Sequence, residues 1–249
     1  MIPNQDANLD CLIYRNNRWV HHSKLNEPKF YSCAVTMPDG ICIFGERISQ
    51  SPTPPTFENI TSIEFLLNQK LKWKKLNTTF PGIGLQHGHG VAISMDEILF
   101  TGGTDRDSLF RRIVKFNTKS LTWSSFGSLN HGRNSRSSFA FKGKVIVCGG
   151  WAYDEEVVTT STEIIDLNTK EIKEAGNLNE ARSDHGIGIM KIGNTRKLVA
   201  FGGIDARKNL LSSVEAWNKD KLSWEMTDIR MPQCSALFSY WSTKDLENC

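Results

Sequence analysis

The chain has 249 residues, with 30 lysines and arginines against 27 acidic residues and a net charge of +3. So small an excess gives no electrostatic footprint for nucleic acid or for an anionic membrane surface, and no apolar run approaches the ~20 residues of a membrane-spanning helix. The opening MIPNQDANLD lacks the basic and apolar regions of a secretory signal, which favours the cytoplasm, although a mature secreted chain would read the same.

Residues 11–19, CLIYRNNRW, form an apolar run that closes on Trp19. Residues 29–46, KFYSCAVTMPDGICIFGE, then read as two short β-rich arms joined at Pro38-Asp39-Gly40. Three prolines at 52, 54 and 55 exclude a central strand there and make residues 47–59 a stiff, exposed excursion. An apolar run, an asparagine and a few polar residues lead to Trp73. The same order returns in residues 86–103, QHGHGVAISMDEILFTGG, and ends at Trp123. Residues 128–150, SLNHGRNSRSSFAFKGKVIVCGG, give the clearest copy, with arms at 137–141 and 145–148 about a Lys-Gly-Lys turn. Its second half, EIIDLNTKEIKE, carries Glu174 at the spacing of the tryptophan. A last copy runs from Arg182 to Gly203 with four extra turn residues and ends at Trp224. Residues 229–241 then begin a first half again.

The intervals from Trp73 to Trp123, to Glu174 and to Trp224 are 50, 51 and 50 residues. With the glycine pairs at 102–103, 149–150 and 202–203 and the downstream tryptophans, this chain resembles the kelch-repeat family. That resemblance implies an all-β, kelch-type β-propeller filling residues 1–249 as one domain, each blade a four-stranded sheet. The count is five blades: four whole, and one closed from residues 11–19 and 229–241, since an open end leaves a sheet edge unpaired. A truncated six-bladed propeller is the alternative. The tryptophans read as packing between blades.

In such a meander the loops after the glycine pairs and the lead-ins to each first strand share one face. Counting back from the glycines gives Lys29, Gln86, Arg133, Arg182 and Gln233 around one mouth. Three residues further on, Ser32, His89, Arg136, His185 and Ala236 make a second tier. The expectation is a polar, cationic funnel that receives an acidic loop or peptide of a partner protein. Trp151, Tyr153 and Arg207, with Arg106, stand on the variable loops beside it as interface anchors. Asp105 and Asp205, two residues past glycine pairs, are the acids expected to pair with some of the arginines.

No nucleophile elbow, phosphate loop or paired carboxylate stands out, so the reading is a non-catalytic, monomeric interaction module without cofactor or metal. By resemblance, roles as a ubiquitin-ligase substrate receptor or a cytoskeletal scaffold follow. The enzymatic alternative is a sialic-acid-mutarotase-like protein in which Arg133, Arg136, Arg182 and His185 hold a sugar carboxylate. His87 and His89 alternate on a strand and would need a further ligand to hold a metal. The six cysteines show no zinc spacing, and Cys11 with Cys249 is the one pair that closure of the ring would bring together.

Overall fold

The computed structural model describes residues 9–15, 18–27, 29–48, 57–68, 70, 72–78, 88–102, 111–152 and 155–235. A two-stranded hairpin, β1 (Asp10–Arg15) and β2 (Arg18–Lys24), comes first. Sheet I follows as β3 (Phe30–Met37), β4 (Gly40–Ile48), β5 (Phe57–Leu67) and β6 (Lys74–Lys75). Sheet II is β7 (His89–Ala92), β8 (Glu97–Thr101), β9 (Arg112–Asn117) and β10 (Thr122–Ser128). A short lead-in strand, β11 (Arg133–Asn134), opens the third unit. Sheet III is β12 (Ser137–Phe141) and β13 (Lys144–Cys148), then, after the small strands β14 (Trp151–Ala152) and β15 (Val157–Val158), β16 (Thr162–Asp166) and β17 (Ile172–Ala175). Sheet IV is β18 (Gly186–Ile192), β19 (Thr195–Phe201), β20 (Ser213–Asn218) and β21 (Ser223–Arg230).

Sheets I to IV are each an antiparallel meander of four neighbours in chain order. Their first strands, β3, β7, β12 and β18, pack in succession, so the sheets stand side by side as blades do. The uniformly apolar second strands explain the packing, because their two faces bury against different neighbours. Ile98 and Phe100 pack toward Phe44 and Ile63 of sheet I, while Leu99 between them packs toward Val145 and Val147 of sheet III. Ile146 and Cys148 in turn face Ala200 and Trp217 of sheet IV. Each core thus lies between two consecutive sheets.

The tryptophans are staples across these joints. Trp123 stacks at 4.5 Å on Phe116 of its own sheet and at 6.5 Å on Phe44 of sheet I. Trp224, buried, donates its indole N–H to Thr162 Oγ1 of sheet III at 3.0 Å. The tryptophan position of sheet III differs from the spacing argument. Trp123 pairs with Phe116 and Trp224 with Trp217, but the equivalent pair in sheet III is Ile165 with Ile172. The hairpin has the same length, but Asp166 takes the turn-capping place that Asn117 has in sheet II, so counting from Asn168 overshoots by two; Ile172 takes the packing site and Glu174 falls on the outside, 3.0 Å from His131 Nε2.

The last described residues begin a further unit beside sheet IV, where Gly203 N–H donates to Ser235 O at 2.8 Å. The expected closing strand beyond it, and with it Cys249, lies outside the described residues; Cys11 is a free thiol.

Candidate functional site: the loop face and its buried clamps

The lead-in to each first strand is fixed by one recurring arrangement. Glu163, on the third strand of sheet III, accepts the backbone N–H of Asn130 at 2.7 Å and of His131 at 3.3 Å, and pairs with Arg133 at 2.9 Å. Glu215 of sheet IV accepts from Asn179 N–H at 2.7 Å and Glu180 N–H at 3.1 Å, and pairs with Arg182 at 2.8 Å. Glu64 of sheet I accepts from Asn26 N–H at 2.8 Å and Glu27 N–H at 3.1 Å, and pairs with Lys29 at 2.9 Å. All three carboxylates and the three cationic side chains are buried. Burial works against ionisation of Glu64, yet the hydrogen bonds from Asn26 and Lys29 outweigh it and hold its pKa below the ordinary carboxylate value.

The guanidinium does more than neutralise. Arg133 Nη1 donates to Gly149 O at 3.2 Å and Ser161 O at 2.8 Å, and Arg182 Nη1 donates to Gly202 O at 2.9 Å. One side chain therefore joins the lead-in, the glycine corner and the third strand of its own sheet. A desolvated cation with a carboxylate and carbonyls around it is stable where a lone buried charge is not.

Arg136 and His185 of the second tier are also buried, and each lies in a joint between sheets. Arg136 donates from Nη1 to Arg133 O at 2.8 Å and from Nε to Thr101 Oγ1 of sheet II at 3.2 Å. Desolvation, then the neighbouring Arg133, bring its pKa down to about 9. His185 Nε2 lies 3.5 Å from Cys148 Sγ of sheet III, and its pKa is held well below the ordinary value by burial and then by Arg182. His89 Nδ1 lies 2.7 Å from Ser138 Oγ of sheet III, and burial, then Arg136, push its pKa down to about 4. The glycine pairs make room for this tier. A Cβ on Gly149, at φ +63°, would stand 2.5 Å from Arg182 O and 2.7 Å from His185 Cε1.

These positions correct the expected cationic funnel. Arg133 and Arg182 are 0% exposed, and their partners are third-strand glutamates, not the loop aspartates. Asp205 instead orders its own loop by accepting from Arg207 N–H at 2.8 Å and Asn209 N–H at 2.7 Å. Gln86, Arg106 and Tyr153 lie outside the described residues, as do Asp105 and Ala236. Trp151 and Arg207 are exposed on the loop face as expected. Trp151 is 37% exposed and fixed in place, because β14 pairs with the lead-in strand β11. Around it on sheets III and IV, Glu155, Glu156, Glu180, Asp184 and Asp205 retain solvent contact. With Arg111, Arg112, Arg207 and Lys208 also retaining solvent contact on this face, its described surface carries both signs where a cationic one was expected. The carboxylate-binding set of the sugar-enzyme alternative is buried with it. Among the described residues no three His, Cys, Asp or Glu side chains converge as a metal site requires.

The clamp glutamates are what sequence reasoning missed. Their signal is an acid inside an apolar run, in IEFLL, EIID and VEAW, accompanied each time by Leu-Asn ahead of the base.

Fifty-residue repeats, four-stranded sheets packed through their first strands, and the tryptophan joints are the arrangement of kelch-type β-propeller blades. Comparison with known proteins agrees. The chain is 21% identical to kelch-like protein 41a of Danio rerio over 242 residues, which is 89% of this chain and 37% of that protein. It is 28% identical to alpha-scruin of Limulus polyphemus over 139 residues, covering 52% of this chain and 15% of that protein. Kelch-like protein 41b of Danio rerio is 23% identical over 68% of the chain, which spans 28% of its length. No family model matches the chain.

Proposed function

We propose that this chain is a non-catalytic protein-interaction module whose loop face recognises a partner, with a scaffold or substrate-adaptor role. One observation carries the reading: an exposed tryptophan is held rigidly on a face where Arg133, Arg136, Arg182 and His185 are locked in buried joints. Trp151 on its paired strand and Arg207 on the Asp205-ordered loop are the anchors, since aromatic and arginine side chains dominate interface energies. The similarity to kelch-like proteins supports the same role. We place the module in the cytoplasm as a monomer. The free thiols of Cys11, Cys33, Cys42, Cys148 and Cys234 suit a reducing compartment, and no helix among the described residues is long and apolar enough to cross a membrane.

Affinity capture with quantitative mass spectrometry, comparing the native chain with Trp151→Ala and Arg207→Glu, tests this. A discrete set of proteins should be lost from both variants while their melting temperatures stay unchanged. Capture that is indifferent to both changes removes the loop face as the recognition surface.

A further inference from the structure

Further positive charge of sheets III and IV stands on the opposite face. There the first-to-second and third-to-fourth strand turns of both sheets come to one edge, as antiparallel meanders require. Sheet III brings Lys142, Lys144 and Lys170 to that edge, and sheet IV brings Lys191, Lys219 and Lys221, all exposed. Of the acids there, Asp166 lies 3.9 Å from Lys144, Glu225 2.9 Å from Lys221 and Glu171 3.0 Å from Lys173, while Asp220 is exposed between Lys219 and Lys221, so the basic residues still outnumber the acids at this edge. Lys142, Lys191 and Lys219 make no ion pair among the described residues. Two turn pairs within a sheet are separated by about two strand spacings, roughly 10 Å, so the fields of these lysines overlap at a Debye length of about 8 Å. Sheet II shows the contrast, for its turn lysines are neutralised in place, Lys115 by Glu97 at 2.7 Å and Lys119 by Asp96 at 2.8 Å.

We propose that the turn face of sheets III and IV is a second docking surface, for an acidic protein segment carrying an apolar side chain. The apolar element comes from Leu222, 51% exposed at the tip of a turn beside Lys221. A leucine beside Lys219 and Lys221 fits a carboxylate-rich segment with one hydrophobic residue, which buries the leucine while its acids replace water around the ammonium groups. Nucleic acid fits less well. The edge offers mainly point-charge lysines, with a single guanidinium, Arg196, opposite Lys191 and no exposed aromatic face among the described residues for stacking, and one leucine is no membrane-inserting face. Together with the loop face, this surface makes the chain a two-faced scaffold. It stands independently of how the loop face is used.

The test is fluorescence anisotropy with a labelled peptide of glutamates around one central leucine, a duplex DNA and anionic phosphatidylserine vesicles as separate probes. The peptide should bind the native chain, and the triple variant Lys142→Glu, Lys191→Glu, Lys219→Glu should weaken it about tenfold or more. Arg207→Glu with Lys208→Glu on the loop face should leave it unchanged. Leu222→Ser should weaken the leucine peptide and leave an all-glutamate peptide unaffected. Exposed turn lysines tolerate such changes without loss of fold, which melting curves check. The proposal is overturned if the native chain ignores the peptide, if the loop-face variant loses it instead, if DNA or vesicles bind more tightly, or if the added positive face serves only self-association that vanishes in the triple variant.

Discussion

Sheets II and III share one template and differ at its centre. In sheet III, Val147 pairs across to Glu163; in sheet II, the same register pairs Phe100 with Val114. The base that would answer the acid is Arg133 in sheet III and, by repeat position, Gln86 in sheet II. The Leu-Asn of the lead-in, present before Lys29, Arg133 and Arg182, is missing before Gln86, where the chain reads GIGL. Acid, base and asparagine therefore come and go together. The physical reason is that half a clamp is worse than none, because it leaves a charge buried without its counterion.

Breaking one clamp gives the largest effect. Glu163→Ala leaves Arg133 buried with no carboxylate and strands the N–H groups of Asn130 and His131. The expected loss is about 3–5 kcal/mol in urea unfolding. Glu163→Val combined with Arg133→Gln, which copies sheet II, should recover most of that loss. A double variant no better than Glu163→Ala would show that sheet II keeps its fold by another means.

The glycine corners come next, and they separate backbone strain from crowding. Gly149 and Gly193 have nearly the same φ, +63° and +59°, but a Cβ on Gly193 meets nothing within 4 Å. Gly193→Ala should therefore cost only the left-handed strain, about 1–2 kcal/mol. Gly149→Ala adds the clash with the Arg182 carbonyl and His185, for a total of about 2–4 kcal/mol. Equal losses would mean that the joint between sheets III and IV is loose enough to yield.

Most of the architecture was legible because the repeat multiplies weak signals. Short apolar arms, glycine pairs and tryptophans recur in frame, and the hairpin of sheet III closes through Lys142 and Gly143, both at positive φ, as its Lys-Gly-Lys turn suggested. The facing of the loops beside the lead-ins was legible too, and β11 pairs with β14 accordingly. What failed was the direction of the arginines. Sequence position put Arg133 and Arg182 at a mouth, but whether a cation faces water or folds under its own sheet depends on an acid some 30 residues away. That acid, Glu163 or Glu215, looks like one polar residue in an apolar strand until the register brings it beneath the lead-in. Ile172 escaped because the asparagine counted from, Asn168, is not the residue that caps this turn; Asp166 is, two positions earlier, and the packing site follows it.

Acid should open the joints through their histidines. His89 is held to about 4 in the folded chain against an ordinary 6.5, so the unfolded chain takes up the proton first. The sign follows: stability is complete above about pH 6.5 and falls as the pH drops toward 4, by at most about 1.4 kcal/mol for each pH unit per imidazole. His185 acts in the same direction. Glu64, with a pKa below its ordinary 4.5, also contributes stability that acid removes, but only below that range. Unfolding measured between pH 6.5 and 5 thus isolates the imidazoles. The slope there should flatten in His89→Gln, and a slope that His89→Gln and His185→Gln together leave intact would place the acid sensitivity elsewhere.

The smallest effect compares two tryptophans with one role. Trp224 and Trp123 both donate an indole N–H backward across a joint, to Thr162 at 3.0 Å and to Thr78 at 3.2 Å. Thr162 is buried and Thr78 is half-exposed. Replacing either tryptophan by phenylalanine keeps an aromatic ring and removes the donor. In Trp224→Phe the Thr162 hydroxyl is left without that partner in a dry joint, at a cost of about 1–2 kcal/mol. Water can reach Thr78, so Trp123→Phe should cost less, about 0.5 kcal/mol for the exchanged hydrogen bond. The ranking is what matters, and chemical denaturation of the two variants reads it directly. If Trp123→Phe proves the more damaging, the aromatic cluster with Phe44, Phe100 and Phe116 holds its joint by ring shape, and the hydrogen bond across it is incidental.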